Sequence, residues 1–89
     1  MEKIVQDIMS GERVSIVAES KNDAEIDRFI RSLRKMQPEV NVNCNIIILK
    51  NNVCRITADL WLQTKEDWIE SALLETFKET RLEIHRVQS

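Results

Sequence analysis

The stretch Asn43–Gln63, NCNIIILKNNVCRITADLWLQ, decides the fold of this chain. Two runs rich in β-branched residues, Asn43 to Leu49 and Val53 to Gln63, flank the pair Asn51-Asn52. Asparagine tolerates the positive φ that tight turns demand, so the stretch reads as an antiparallel hairpin closed by a two-residue turn. That turn sets Leu49 opposite Cys54 and Ile47 opposite Ile56. One sheet face then holds Ile47, Leu49, Cys54, Ile56, Ala58, Leu60 and Leu62, and the other holds Cys44, Ile46, Ile48, Val53 and Trp61. The two cysteines fall on opposite faces in this register, so no intrachain disulfide is expected.

Upstream, Arg13 to Glu19 alternates Val14, Ile16 and Ala18 against Arg13, Ser15, Val17 and Glu19, the period of two of a strand. Downstream, Arg81 to Val87 alternates again, with Leu82 and Ile84 on one side. Two helical stripes separate these strands from the hairpin. Asn22 with Glu25 three positions on makes a capping-box-like start, and Ile26, Phe29, Ile30, Leu33 and Met36 recur at helical spacing until Pro38 forbids continuation. Thr64 with Asp67 opens the second helix, whose stripe is Ile69, Ala72, Leu73 and Phe77. Ahead of everything, Ile4, Val5, Ile8 and Met9 line one side of a short amphipathic helix that Gly11 closes. The domain reading is therefore residues 1–11 as an N-terminal amphipathic helix and 12–89 as a single α+β domain.

Strand, helix, strand, strand, helix, strand is most simply satisfied by a four-stranded antiparallel sheet with both long helices on one face. This α+β order is similar to the ferredoxin-like βαββαβ two-layer sandwich, with the first and third strands central and an extra N-terminal helix. The resemblance spans residues 12–88, rests on element order alone, and implies no function, because this superfold hosts many.

Composition narrows the functional classes. The chain has 89 residues, 13 Lys plus Arg against 15 Asp plus Glu, and a net charge of −2, which leaves no global positive field for a nucleic-acid backbone or an anionic membrane. No apolar run reaches membrane-spanning length, and the N-terminus lacks the basic start and apolar centre of a secretion signal, so the expected location is cytoplasmic. Cys44 and Cys54 match neither a redox pair nor a zinc framework. The sole histidine, His85, has no second histidine for a metal site or a relay, and the single glycine, Gly11, precedes the first strand and builds no anion cradle. The central strands would display Ser15, Val17, Arg55, Thr57 and Asp59 where RNA-binding sheets of this shape present aromatic rings. No catalytic constellation stands out, and no cofactor or metal is expected.

What remains is surface. Cys44, Ile46, Ile48, Val53 and Trp61, joined by Val17 and Val87, make the open face too apolar to be left in water. The leading helix folding back over it, a second copy of the chain or a different protein would cover it. The expected function is a small non-catalytic interaction or regulatory module, of adaptor or inhibitor type, that binds a protein partner or itself through Ile46, Ile48, Val53 and Trp61. The alternative is a nucleic-acid-associated regulator using Arg28, Arg31, Arg34 and Lys35, a basic ridge on the first long helix.

Overall fold

The structure is a computed structural model that describes residues 1–87; the last two positions of the 12–89 unit lie outside the described residues. The elements run α1 (Glu2–Met9), β1 (Val14–Ser20), α2 (Asp23–Arg34), β2 (Val40–Ile48), a 3-10 turn (Lys50–Asn52), β3 (Cys54–Leu62), α3 (Asp67–Glu79) and β4 (His85–Arg86). The four strands form one antiparallel sheet in the order β2-β3-β1-β4, with β1 and β3 central as the element order requires.

Local chemistry explains most boundaries. Asn22 caps α2 by accepting a hydrogen bond from the Glu25 N–H at 3.1 Å, and the helix has acids in its first turn and bases in its last, as its dipole favours. The chain then turns ahead of Pro38, and the Val40 N–H donates to the Met36 carbonyl at 2.9 Å, so β2 starts three residues earlier than the sequence suggested. Helix α3 begins at Asp67 without a side-chain cap, later than the expected Thr64 start. The final strand shrinks to two residues: Leu82 and Ile84 are buried as expected, but pairing with β1 begins only at His85 and ends with the Val87 N–H donating to the Ser15 carbonyl at 2.8 Å.

The sequence reading whose failure matters most is the register of the hairpin. The hairpin connection is three residues long, Lys50, Asn51 and Asn52, with Asn51 at φ 63° and Asn52 at φ 62°. Both asparagines adopt the left-handed conformation expected of them, but Lys50 belongs to the loop as well. The extra residue shifts the register by one: Ile48 pairs with Cys54, Ile46 with Ile56 and Cys44 with Ala58. A one-residue shift moves every β2 side chain to the other face. Cys44, Ile46 and Ile48 therefore lie on the helix side with buried Ile56, Ala58 and Leu60, and the two cysteines share that side, unpaired.

The core sits between the sheet and three helices, all on the same face. Val14, Ile16 and Ala18 of β1, Ile56, Ala58 and Leu60 of β3, the α2 stripe and Ile69, Leu73 and Phe77 of α3 are buried together. Phe29 meets Phe77 between α2 and α3, ring centroids 6.1 Å apart. Helix α1 belongs to this layer, with Ile4, Val5 and Ile8 buried in the common core beside α3, β1 and β3. Of the three candidate covers for the open sheet face, the fold-back of the leading helix is thus corrected: α1 packs on the opposite side. An ion pair clasps it there. Arg86, which stands opposite Ile16 and so points to the helix side, donates to Asp7, and Lys3 reaches the same carboxylate at 2.9 Å. These partners, Arg86 first, hold the Asp7 carboxyl down at about 2.

Candidate functional site

With the register corrected, the open face is polar. It carries Asn41, Asn43, Asn45 and Ile47 from β2 beside Arg55, Thr57, Asp59 and Trp61 from β3, then Ser15, Val17 and Glu19 from β1 and His85 from β4. Its charges pair with one another. Asp59 accepts from Ser15 Oγ at 2.5 Å and from Arg13 at 2.9 Å, and these hydrogen bonds, Ser15 first, lower its pKa. The Arg13 guanidinium lies 4.3 Å above the centre of the Trp61 ring. Arg55 meets Glu19 at 2.7 Å, and His85 stands 3.3 Å from Glu83 along the rim of a shallow groove of about 530 Å³. A face so furnished is at home in water. The sequence-based expectation that it needs a cover does not hold.

The expected anchors therefore separate. Ile46 and Ile48 lie on the helix side of β2 but outside the buried core, at 53% and 75% exposure. Val53, half-buried, follows the turn, and its carbonyl accepts from the Leu49 N–H. Trp61 is on the other face, opposite Asn41, seven residues or roughly 23 Å along the strand from Ile48. Ile47, which the sequence reading placed under the helices, is 51% exposed on the open face. The end of β2 thus presents three consecutive isoleucines to solvent.

Backbone geometry gives these isoleucines their meaning. β2 is an edge strand, so only alternate residues hydrogen-bond to β3. The Leu49 N–H donates to the Val53 carbonyl at 2.7 Å and the Gln63 N–H to the Glu39 carbonyl at 2.8 Å, which assigns the odd-numbered residues of β2 to the β3 ladder. The even-numbered residues Val42, Cys44, Ile46 and Ile48 consequently aim their N–H and C=O groups outward. The Val42 carbonyl takes a long 3.5 Å hydrogen bond from the Gln37 side chain. Cys44, Ile46 and Ile48 keep both groups unengaged among the described residues. Edge strands are ordinarily protected by lysine, proline, a bulge or a covering element; from Val40 to Ile48 this one has no proline and no charge at all.

The flank of the edge is set by α2. Cys54 Sγ donates to Asp23 Oδ1 at 3.3 Å, which fixes the N-terminal end of α2 near the Cys54–Ile48 rung, and this contact raises the Cys54 pKa. Burial raises the Cys44 thiol, while the nearby Arg34 charge pulls it the other way and marks the far end of the helix. The basic ridge is less free than its spacing implied. Arg28 pairs with Glu25 at 3.3 Å and Arg31 with Asp27, which leaves Arg34 and Lys35 without an ion pair among the described residues. Among those same residues, no cluster of metal-ligating side chains is present.

Comparison with known proteins speaks to the fold. No family model matches the chain, and no curated protein matches it. Two solved structures are similar in shape. The de novo designed protein Ferredog-Diesel superposes with a TM-score of 0.53 at 13% identity, over 88% of this chain and 86% of that one. The de novo designed protein Foldit4 gives a TM-score of 0.52 at 12% identity, over 86% of this chain and 96% of that one. At these identities the likeness is one of architecture: a ferredoxin-like α+β domain, a four-stranded antiparallel sheet with three helices. No helix among the described residues is long and apolar enough to cross a membrane.

Proposed function

We propose that this chain is a small non-catalytic interaction module that binds a protein by adding an extended segment to the β2 edge. The observation that supports it is the row of outward N–H and C=O groups at Cys44, Ile46 and Ile48, set among exposed isoleucines on a strand without charge. In recognition by strand addition, main-chain hydrogen bonds supply affinity and alternate side chains supply selectivity. Ile46 and Ile48 would grip apolar side chains on the helix side, and Ile47 would meet one on the other. A cytoplasmic setting accords with two unpaired thiols.

The test is selection of extended peptides from a display library, followed by amide exchange on the complexes. Binders should slow exchange at Cys44, Ile46 and Ile48, and Ile46→Pro should weaken them at least about tenfold, since it removes one outward N–H and leaves the β3 ladder intact. Binders that instead protect the polar face around Thr57, or that ignore Ile46→Pro, refute the proposal.

A further inference from the structure

Granting the edge-binding reading on which it rests, we propose that the occupant of the β2 edge is a second copy of this chain, paired antiparallel about a two-fold axis at Asn45 to make one eight-stranded sheet. Four features of the strand and its flank support this pairing.

The first is backbone matching. An antiparallel pair bonds only where outward-facing residues meet. Centring the axis on Asn45 sets Val42 against the partner's Ile48 and Cys44 against the partner's Ile46, and the reverse, so all four outward residues of each copy find one another once the Val42 carbonyl gives up its long 3.5 Å bond from the exposed Gln37 side chain. Centring it on Cys44 instead sets Ile48 against the partner's Val40, whose N–H is already given to Met36. Centring it on Ile46 sets Val42 against Lys50, which lies outside the strand in the turn.

The second is side-chain matching. On the helix side, the rungs about Asn45 read valine on isoleucine and cysteine on isoleucine, so the exposed Ile46 and Ile48 are covered by residues of their own kind. On the open side Asn45 meets Asn45 and Ile47 meets Asn43. The third feature is charge. Like charges directly opposite one another oppose strand pairing, and Val40 to Ile48 contains none, so a self-pair meets no repulsion along its length. The fourth is α2, whose acidic end, with Asp23, lies near the Ile48 rung and whose basic end, with Arg34 outside any ion pair among the described residues, lies near Cys44. A two-fold axis at Asn45 runs the two α2 helices antiparallel and brings the acidic half of each beside the basic half of the other. That complementarity belongs to a second copy and to no arbitrary peptide.

The experiment combines mass in solution with a register-specific cross-link on the full chain. Sedimentation velocity at about 10 µM and about 500 µM covers the weak affinities of small interfaces and should show a monomer converting to a dimer. Ile46→Pro should hold the chain monomeric at both concentrations, with unchanged circular dichroism. In a Cys44→Ala, Cys54→Ala background, Asn45→Cys should oxidise to a disulfide-linked dimer, because the two Asn45 positions face each other in a non-hydrogen-bonded pair with Cα atoms about 4.5 Å apart, inside disulfide range. Asn43→Cys in the same background should form no intermolecular disulfide under oxidation, since its counterpart lies four residues away along the ladder. A dimer that cross-links through position 43, or that survives Ile46→Pro, overturns the proposed pairing. A monomer at both concentrations whose edge still captures strand peptides overturns self-pairing alone, and a monomer that captures none overturns the edge-binding reading with it.

Discussion

Replacing Ile8 with alanine tests whether α1 is a structural part of the domain. Ile8 is fully buried among α1, α3 and the sheet, at 0% exposure, and alanine deletes three carbon atoms that no neighbour can replace. Transfer of those atoms back to water costs about 2.4 kcal/mol at the usual increment per buried methylene, and the cavity left behind brings the total into the range of about 2–5 kcal/mol. An 89-residue domain has roughly 4–13 kcal/mol of stability to lose, so this one change takes a large share of it. Removing residues 1–11 withdraws Ile4, Val5 and Ile8 together, about 5–9 kcal/mol as an upper figure, and should leave no cooperative unfolding transition. The assay is urea denaturation of the full chain, read as a shift in midpoint at constant slope. Gln6→Ala, on the exposed side of the same helix, is the control and should stay within about 0.5 kcal/mol. An Ile8→Ala variant within about 1 kcal/mol of the parent would refute the reasoning, because it would mean that α1 does not hold the core together.

Three further outcomes are expected. Asp7 has a folded pKa of about 2 against an ordinary 3.8, so the clasp between Asp7, Arg86 and Lys3 stabilises fully above about pH 4 and is lost as pH falls through about 2. Denaturation midpoints measured down that window should fall less steeply for Asp7→Asn than for the parent, and equal slopes would remove the clasp from the account. In the turn, Asn51→Gly should leave the melting temperature nearly unchanged, whereas Asn51→Val should cost about 1–2 kcal/mol at a φ of 63°. Equal melting temperatures for the two would show that the turn does not hold this conformation. Cys44 and Cys54 sit on one face but four rungs apart, roughly 13 Å along the ladder, beyond the reach of a disulfide. Mild oxidation followed by intact-mass analysis should find no intrachain bond, and finding one would contradict the register.

Wherever a segment had one apolar set at one period, its structure was legible in the sequence. The α2 stripe Ile26, Phe29, Ile30, Leu33 and Met36 is buried throughout, and the β1 and β3 alternations give the core face without error. Long-range placement was less legible. An amphipathic helix announces that it needs an apolar mate, but its stripe does not say which layer supplies one, and α1 found its place beside α3 through Asp7 and Arg86, 79 residues apart. The start of β4 was obscured for a related reason. Leu82 and Ile84 need only burial, and burial alternates whether or not the backbone joins a ladder.

The β2 edge shows how a local turn rule can mislead when it is allowed to outrank strand alternation. Taken from Asn43, the run NCNIIIL offers isoleucines at both parities, and register then hangs on the turn, where Asn51-Asn52 reads as a complete two-residue loop. Taken from Val40, the same strand alternates Val40, Val42, Cys44, Ile46 and Ile48 against Asn41, Asn43, Asn45 and Ile47, which is an unambiguous apolar side. Three asparagines in alternation belong on a wetted face, and the core accepts the other side; satisfying both requires one more residue in the turn, and Lys50 provides it. The same alternation leaves the outward backbone groups on the apolar residues, so the strand that corrects the register is also the one whose edge is chemically prepared for pairing. Inserting one residue beside Asn52 checks this link directly. If the turn sets register, β2 should flip, Asn43 and Asn45 should be driven toward the core, and the chain should unfold; if strand alternation sets it, the extra residue should bulge out and amide exchange should still find the β3 ladder at the odd-numbered positions of β2.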